Sequence, residues 1–262
     1  MRDMDWLINY LMKGNLSKLM KLIKIGKVDM FYWFCIETTN NCNRRCSYCP
    51  ISIDKNYRPQ KMKKKLFYKV IDELVEIKFK GSIFPHNYGE PLLDGRLETF
   101  VEYIREKLPH VYIEIVSNGD ILNQERLNSL IEAGVNSFLV TIHDDVGIPK
   151  KFNSMPHVKV QKIGRLCNRG GSVEIPNNRL DLQNKYCRVP SISFIVGVDG
   201  KVPLCCQDYF YDVLQGDLNK QTIMEIWNNP VNKARRDKIS KGILEYDICK
   251  KCTGYNYFKD KE

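Results

Sequence analysis

Residues 34–50 read FCIETTNNCNRRCSYCP, a strand-like run followed by a loop that contains three cysteines. Cys42 and Cys46 are separated by three residues, and Cys46 and Cys49 by two. A structural zinc site or an ordinary iron-sulfur cluster takes four protein ligands, so this loop is one ligand short. Three thiolates on three irons of a cubane leave the fourth iron open to another ligand. The loop therefore predicts a cluster with an open coordination position, with a partial zinc knuckle as the alternative.

Strand-like and helical segments alternate after this loop. Runs rich in β-branched and aromatic residues predict strands at 34–39, 81–86, 111–117, 136–143 and 157–163. Apolar residues at helical spacing predict helices at 61–79, 95–107 and 121–134, with Pro109 and Gly134 as end signals. Strands that alternate with helices pair in parallel through right-handed crossovers, so the pattern predicts an α/β fold, as an open or closed barrel.

Polar motifs follow the first four predicted strands. The cysteine loop follows the first strand, HNYGEP (86–91) the second and SNGD (117–120) the third, and His143 closes the fourth. In parallel α/β folds the chemistry lies at the carboxyl ends of the strands. The four motifs are therefore expected to meet at one site.

The cysteine spacing, with aromatic Tyr48 just before the last cysteine, resembles the signature of the radical S-adenosylmethionine (radical SAM) superfamily. The resemblance implies a partial (open) β/α barrel. It also implies that Cys42, Cys46 and Cys49 hold a 4Fe-4S cluster whose open iron binds SAM. In that family the reduced cluster cleaves SAM to a 5'-deoxyadenosyl radical, which abstracts hydrogen from an unactivated carbon.

The other strand-end motifs match positions of the same family. By resemblance, Gly89 and Glu90 of YGEP meet the ammonium group of SAM, a role that suits a carboxylate facing a cation. Ser117 and Asn118 of SNGD would hydrogen-bond the ribose hydroxyls, and Tyr48 would lie near the adenine. A zinc knuckle predicts neither companion motif.

A second metal site is predicted near the C-terminus. Cys249 and Cys252 have metal-knuckle spacing, and Cys187 with Cys205 or Cys206 completes four ligands, for either zinc or an iron-sulfur cluster. The order SFIVGVDGKVPLCCQDY, GDLNKQTIMEIWNNP and CKKC resembles the SPASM region in its shortened "twitch" form, which holds one auxiliary 4Fe-4S cluster. Alignment on the family's G-x-V-x-x-C segment favours Cys205 over Cys206 as the ligand.

The remaining cysteines, Cys35, Cys167 and Cys206, are scattered, which argues against a second auxiliary cluster. The shape of the chain is similar to that of the twitch dehydrogenases that oxidise an amino-cyclitol in aminoglycoside biosynthesis. That group also has an NRGG stretch, residues 168–171 here.

The resemblance implies oxidation of a sugar or cyclitol hydroxyl to a ketone, with the auxiliary cluster as acceptor of the second electron. Arg169 and His143 are the candidates for interaction with the reacting hydroxyl, and His143 has a structural hydrogen-bonding role as its alternative. Gln207 and Asp208 either contact substrate or shape a turn, and the turn is favoured for Asp208. Modification of a ribosomally made peptide is an alternative reaction. A non-catalytic zinc protein that binds nucleic acid is a third interpretation.

Length and cysteine distribution predict three segments in the 262 residues. These are an amphipathic basic arm (1–30), the barrel (31–183) and a small metal-stapled appendage (184–262). In the arm Leu16, Leu19, Met20 and Ile23 share one helical face and Lys18, Lys21 and Lys24 another, which fits a membrane-surface helix or one packed on the body.

The composition of the chain limits which binding partners and which cellular location are expected. The start of the chain is no signal peptide, so the ten cysteines are expected to be reduced or metal-bound in the cytoplasm, with peripheral attachment to a membrane as an option. No apolar run approaches the roughly 20 residues that span a bilayer. The net charge of +10 allows an anionic partner without selecting one. The expected partners are a small polar substrate, plain, phosphorylated or lipid-linked, and a reductant such as flavodoxin or ferredoxin; nucleic acid is not expected.

Overall fold

The computed structural model describes residues 29–143, 147–163, 166–175 and 187–253. The basic arm predicted for residues 1–30 lies almost wholly outside these residues. No helix in the described ranges is long and apolar enough to cross a membrane.

Six parallel strands form one open sheet with the order β5-β4-β3-β2-β1-β6. The strands are β1 (Trp33–Ile36), β2 (Ser82–Phe84), β3 (Tyr112–Ser117), β4 (Ser137–Ile142), β5 (Val158–Lys162) and β6 (Ser193–Val196). β1 is an inner strand, because it pairs with β2 on one side and with the edge strand β6 on the other. The prediction of an open α/β barrel is confirmed.

Three helices connect the first four strands: α1 (Lys64–Glu76), α2 (Leu97–Lys107) and α3 (Gln124–Ala133). α1 buries Leu66, Val70 and Leu74, which recur every four residues and so lie on one face. α3 starts on the Asn123 side chain, which accepts a hydrogen bond from the Arg126 N–H, and ends on Gly134 at φ +117°. The helices therefore form where the sequence predicts them, with somewhat tighter bounds.

Burial alternates along β1 to β4 and distinguishes the two faces of the sheet. The core face packs against the helices; Phe34 stacks on Phe194 with ring centroids 5.8 Å apart, and Phe67 of α1 stacks on Phe100 of α2 at 3.9 Å. On the other side the strand residues are half-buried. We call this side the open face; it is formed by Trp33, Cys35, Phe84, Glu114, Val116 and Thr141. The contrast identifies the face of the sheet that is packed less tightly than the core face.

Strand β6 extends the sheet beyond residue 183, where the change in cysteine content places the end of the barrel. All four of its residues are buried, and it pairs with β1 from Trp33↔Ser193 to Ile36↔Val196. The run SFIV is apolar enough to be buried on both faces, which suits a parallel strand. Residues 193–196 therefore belong to the main sheet although they lie between the auxiliary cysteines Cys187 and Cys205.

The C-terminal part is small and mostly helical. After a short helix α4 (Val189–Ile192), it contains a hairpin of β7 (Lys201–Val202) and β8 (Gly216–Asp217), then α5 (Ile223–Asn228), α6 (Pro230–Ser240) and α7 (Asp247–Lys251). A separate apolar cluster of Leu204, Val213, Ile239 and Ile248 lies at its centre, with Cys187 and Cys249 packed against it. The auxiliary cysteines are therefore held by a core of their own.

Candidate active site

The cysteine loop (residues 37–49) leaves the carboxyl end of β1 and is fixed by the segment that precedes α1. Thr39 pairs with Lys61 in an antiparallel bridge. The Asn40 side chain donates to the Arg58 carbonyl at 3.1 Å and accepts from the Gln60 N–H at 2.6 Å. An asparagine amide has both a donor and an acceptor, so one side chain fixes both backbone groups. The base of the loop is thereby held rigidly against the sheet.

The three thiols of this loop are half-buried. Burial raises the pKa of Cys42 and of Cys49, although backbone N–H groups of Arg44 and Ile51 act in the opposite direction. Coordination to iron would take the place of the proton. No three His, Cys, Asp or Glu side chains of the described ranges converge on one metal ion. A cubane distributes its thiolates over different irons, so its ligands do not converge on a single point.

Glu90 lies behind the loop and is the centre of a buried network. Its side chain is almost fully buried. Oε1 accepts from the Ser117 hydroxyl at 2.8 Å and Oε2 from the Asn118 N–H at 2.9 Å. Burial raises the pKa of Glu90, and these hydrogen bonds oppose that effect. The structure thus brings the predicted YGEP and SNGD residues into direct contact.

Gly89 and Glu37 fix the YGEP loop to the cysteine loop. A Cβ atom on Gly89 would lie 2.0 Å from the Thr39 carbonyl oxygen, so this close approach requires glycine. The buried Glu37 carboxylate accepts from the N–H groups of Tyr88 at 2.8 Å and Gly89 at 3.2 Å, and from Val198 beyond β6 at 3.3 Å. Burial raises its pKa to about 7. Glu37 therefore ties three strand ends together.

Asp120 joins the cysteine loop to the turn after β3. It accepts from Arg44 Nε at 2.6 Å and from Asn43 Nδ2 at 2.8 Å. Asn43 in turn accepts from Asn118 Nδ2 at 2.8 Å. The hydrogen bond from Arg44 lowers the pKa of Asp120. The polar atoms of the SNGD turn are therefore oriented by residues that lie between Cys42 and Cys46.

Tyr48 and His143 interact directly across the mouth of the barrel. The Tyr48 hydroxyl and His143 Nδ1 are 2.6 Å apart, and the two rings are nearly parallel with centroids 6.1 Å apart. His143 thus positions a residue of the cysteine loop. Its predicted role beside a substrate hydroxyl stays a prediction, and this contact gives weight to the structural alternative.

Residues 168–171, which we call the NRGG latch, lie against helix α7. Asn168 Nδ2 donates to the Lys251 carbonyl at 2.8 Å, and Asn168 Oδ1 accepts from the Thr253 N–H at 3.0 Å. Gly170 has φ +66°, and a Cβ atom there would lie 2.3 Å from Ile248 Cγ1. The latch therefore binds the helix that precedes Cys252.

The latch positions Arg169 between the two groups of cysteines. Its guanidinium lies 5.6 Å from the centre of the Tyr88 ring, and the Tyr88 hydroxyl donates to the Cys206 carbonyl at 2.7 Å. The positive charge opposes the effect of burial on the pKa of Cys49, in the cysteine loop, and of Cys206, in the C-terminal part. Arg169 is therefore close to both groups.

The auxiliary cysteines interact with one another. Burial, together with the nearby Cys252 and Cys249 thiols, raises the pKa of Cys187 to about 12. The pKa of Cys205 is raised well above its usual range by burial, with contributions from Cys206, Cys187 and Cys252. The charges that act most on Cys206 come instead from Arg169 and Cys167. Cys252 acts on both thiols, so the choice of Cys205 over Cys206 as the fourth ligand stays a prediction.

The two residues after Cys206 have different surroundings. Asp208 Oδ2 accepts from the N–H groups of Leu204 and Val213, and Oδ1 from that of Asp212, so Asp208 shapes a turn. Gln207 accepts from the Cys167 thiol at 3.0 Å. It also lines a cavity of about 170 Å³ together with Arg169 and Tyr209.

Comparison with known proteins decides the family. Residues 36–202, more than half of the chain, match the radical SAM superfamily. The chain belongs to the radical SAM superfamily. Residues 187–253 match the SPASM iron-sulfur cluster-binding domain. The chain is therefore a radical SAM enzyme with a C-terminal SPASM-type domain.

One relative, the dehydrogenase BtrN, resembles this radical SAM enzyme over nearly its whole length, both in sequence and in its crystal structure. The S-adenosyl-L-methionine-dependent 2-deoxy-scyllo-inosamine dehydrogenase of Niallia circulans is 33% identical over 236 residues, which are 85% of this chain and 93% of that protein. The crystal structure of BtrN in complex with AdoMet and 2-DOIA superposes with a TM-score of 0.77 and 32% identity, covering 85% of this chain and 93% of BtrN.

A more distant structure shares the fold alone. Streptococcus suis SuiB bound to S-adenosylmethionine has a TM-score of 0.52 and 11% identity, covering 92% of this chain and 76% of SuiB.

The radical SAM and SPASM domains imply SAM and 4Fe-4S clusters as cofactors, and the side chains described above fit them. The cysteine loop offers three thiols beside the Glu90 carboxylate, which suits a cluster that shares its open iron with an amino acid group. The C-terminal core offers four thiols, which suits a cluster without an open position.

Three residues of this radical SAM enzyme had no role in the sequence analysis. Glu37 and Asp120 organise the strand-end loops, and His86 lies at the end of β2. A charged residue at the end of an apolar strand was the available signal for Glu37. Asp120 and His86 stand inside motifs whose other members had clearer roles.

Proposed function

We propose that this enzyme oxidises a ring hydroxyl of an aminocyclitol, such as 2-deoxy-scyllo-inosamine, to the ketone. The observation that carries the proposal is the location of Arg169, which lies over the Tyr88 ring near both Cys49 of the cysteine loop and Cys206, the neighbour of the predicted ligand Cys205. The similarity to a dehydrogenase of that substrate over most of both chains supports it. When bound, SAM and the two clusters would supply the radical that removes a hydrogen atom from the carbinol carbon and the acceptor for the second electron.

The residues of the chain bind and orient the reactants. Glu90, Ser117 and Asn118 are proposed to hold SAM, because hydrogen bonds from Ser117 and Asn118 orient the Glu90 carboxylate. Arg169 is proposed to bind the substrate oxygen and to stabilise its negative charge after the hydroxyl proton leaves for water. A guanidinium stays charged at neutral pH, so it orients an alkoxide and does not act as a base.

The cavity beside Arg169 supports a small polar substrate. Side chains of both charges line it, with Arg169 and Lys251 opposite in sign to Asp212 and Asp247. An aminocyclitol combines an ammonium group with hydroxyls, so it can pair with both signs. Neither the peptide-modifying alternative nor the zinc-protein alternative has an observation that favours it, and the latter accounts for neither family match.

The reaction is proposed to run in the cytoplasm with a low-potential electron carrier, flavodoxin or ferredoxin, as reductant. Exposed cations near the cysteine loop, among them Arg45, Arg58 and Lys61, support docking of an acidic carrier. A phosphorylated or lipid-linked cyclitol is a further option for the substrate.

The test uses anaerobically reconstituted enzyme with SAM, dithionite and 2-deoxy-scyllo-inosamine that carries deuterium at its carbinol carbons. We expect about eight irons per chain, a ketone product, and deuterium in the 5'-deoxyadenosine. 5'-Deoxyadenosine without label, and no ketone from the plain or phosphorylated cyclitol, would refute the proposal.

A matched pair of variants tests the auxiliary cluster. Cys205→Ala is expected to lose about half of the iron and all ketone formation while it still cleaves SAM. Cys206→Ala is expected to keep its iron. The reverse pattern would show that Cys206 is the ligand.

A further inference from the structure

Three buried side-chain atoms find no hydrogen-bond partner within the described ranges: Thr38 Oγ1, His86 Nδ1 and Arg236 Nη1. An unpaired buried polar group is destabilising, so each calls for a physical reason. Thr38 is fully buried beside the core, and the Arg236 guanidinium lies 3.7 Å from the centre of the Trp227 ring, to whose backbone carbonyl its other amino group donates. These two belong to packed interior regions, whereas the half-buried His86 follows β2 at the carboxyl end of the sheet.

His86 lies at the mouth of the barrel. It follows β2 by two residues, and its ring meets the ring of Phe84 edge-on with centroids 6.3 Å apart. Because Phe84 belongs to the open face, His86 continues that face at the carboxyl end of the strand. The residue as a whole is half-buried while Nδ1 is shielded from water. Its unpaired Nδ1 therefore lies beside Phe84 at the mouth of the barrel, and a substrate group reaches it by displacing the side chains that shield it.

The ring of His86 is uncharged at neutral pH. Burial lowers its pKa to about 4. A neutral imidazole has one nitrogen that donates and one that accepts, and the tautomer decides which is which. A hydroxyl group both donates and accepts, so it can pair with Nδ1 in either tautomer.

The neighbouring residues distinguish His86 from the other strand-end histidine. His143 Nδ1 is already occupied by the Tyr48 hydroxyl. His86 stands on the same loop as Gly89 and Glu90, three and four residues before the network proposed to hold SAM. A ligand held by His86 would therefore keep a fixed distance from that network.

Taking the proposed dehydrogenation as its basis, we infer that Nδ1 of His86 forms a hydrogen bond with a hydroxyl or amino group of the aminocyclitol. The substrate supplies the partner that the protein lacks, and the bond selects which ring carbon faces SAM. His86 is thus a residue of substrate specificity, distinct from Arg169 on the NRGG latch.

Three substitutions of His86 test the inference in the reconstituted holoenzyme. His86→Phe keeps the aromatic volume and removes both nitrogens. His86→Asn keeps a polar atom close to the position of Nδ1, and His86→Gln moves it one carbon further away. Replacement of the exposed His110 by Phe is the matched control.

We expect His86→Phe to raise the Kd and KM for 2-deoxy-scyllo-inosamine about tenfold, equivalent to about 1.4 kcal/mol. His86→Asn should stay within about threefold of the wild type, His86→Gln should resemble His86→Phe, and the Kd for SAM should not change in any variant. Should His86→Phe fail to fold, the comparison of the Asn and Gln variants still decides the matter.

The outcomes separate this inference from the proposed function. If the wild-type enzyme turns over the cyclitol and His86→Phe has the wild-type KM, the inference about His86 is refuted and the proposed function is not. Equal losses of affinity in the Phe and Asn variants also refute the inference, because they would indicate a packing role. Wild-type enzyme that binds the cyclitol through His86 without forming a ketone refutes the dehydrogenation alone. Absence of both binding and turnover refutes both.

Discussion

The ion pair between Arg44 and Asp120 couples the cysteine loop to the SNGD turn, and its removal should weaken SAM binding. The pair is bidentate, with Arg44 Nη2 2.5 Å from Asp120 Oδ1 in addition to the contact of Nε. Asp120 also holds Asn43, which orients the Asn118 amide. Asp120→Ala is therefore expected to release both the loop and the turn.

The size of the effect follows from the exposure of the pair. The side chains of Arg44 and Asp120 are 23% and 31% exposed. Exposed pairs contribute about 0.2–1 kcal/mol, and loss of one partner from a buried pair costs about 3–5 kcal/mol. A partly exposed bidentate pair lies between these limits and nearer the first, so we expect a coupling of about 1 kcal/mol, or roughly a fivefold change in the Kd for SAM.

A double-mutant cycle of Arg44→Ala and Asp120→Ala measures this coupling through equilibrium binding of SAM to reconstituted, iron-replete protein. Each single variant should weaken binding, and the double variant should be little weaker than either. The pair Lys241–Asp237, whose side chains are 63% and 61% exposed, is the control cycle and should leave SAM affinity unchanged. Additive effects of the two substitutions, or wild-type affinity in the double variant, would refute the reasoning.

Two further predictions concern stability. Gly170→Ala should lower the Tm by several degrees, because the new Cβ would lie 2.3 Å from Ile248 and the backbone φ is +66°. Gly95→Ala is the control and should leave the Tm unchanged, because there is open space around Gly95. Equal Tm values for the two variants would contradict the tight contact at Gly170. The pKa of Glu37 rises on folding from its ordinary value of 4.5 to about 7, so the fold favours the protonated form. The stabilising contribution of that form is complete below pH 4.5 and is lost as the pH rises through 7, by about 3 kcal/mol in all. Wild-type Tm should accordingly fall more between pH 5 and pH 8 than that of Glu37→Gln, and parallel pH profiles would contradict the raised pKa.

Much of the sheet could be predicted because periodic burial is a local property of the sequence. The apolar spacing of α1 and the glycine that ends α3 both appear at the predicted places. Strand β6 was harder to predict, because SFIV is too short for periodicity to indicate its partner. Its pairing with β1 joins residues about 160 positions apart, which no local pattern encodes.

The candidate site, like the sheet, has one part that the sequence predicts and another that it does not. Motif spacing predicts which cysteines and which YGEP and SNGD residues come together. It does not predict Glu37, whose hydrogen bonds reach Tyr88 and Val198, or the contact of the NRGG latch with α7. Those contacts depend on how loops from distant segments meet after folding. The turn around Asp208 was predictable because its partners are near neighbours in the chain.

The NRGG latch joins two tasks in one tetrapeptide. Asn168 and Gly170 dock the helix that carries Cys249 and ends just before Cys252, and Arg169 between them faces the Tyr88 ring. A shift of that helix by one ångström would therefore shift the guanidinium with it. A redesign of this enzyme for a larger substrate ring would therefore have to change the C-terminal part and the surroundings of Arg169 together.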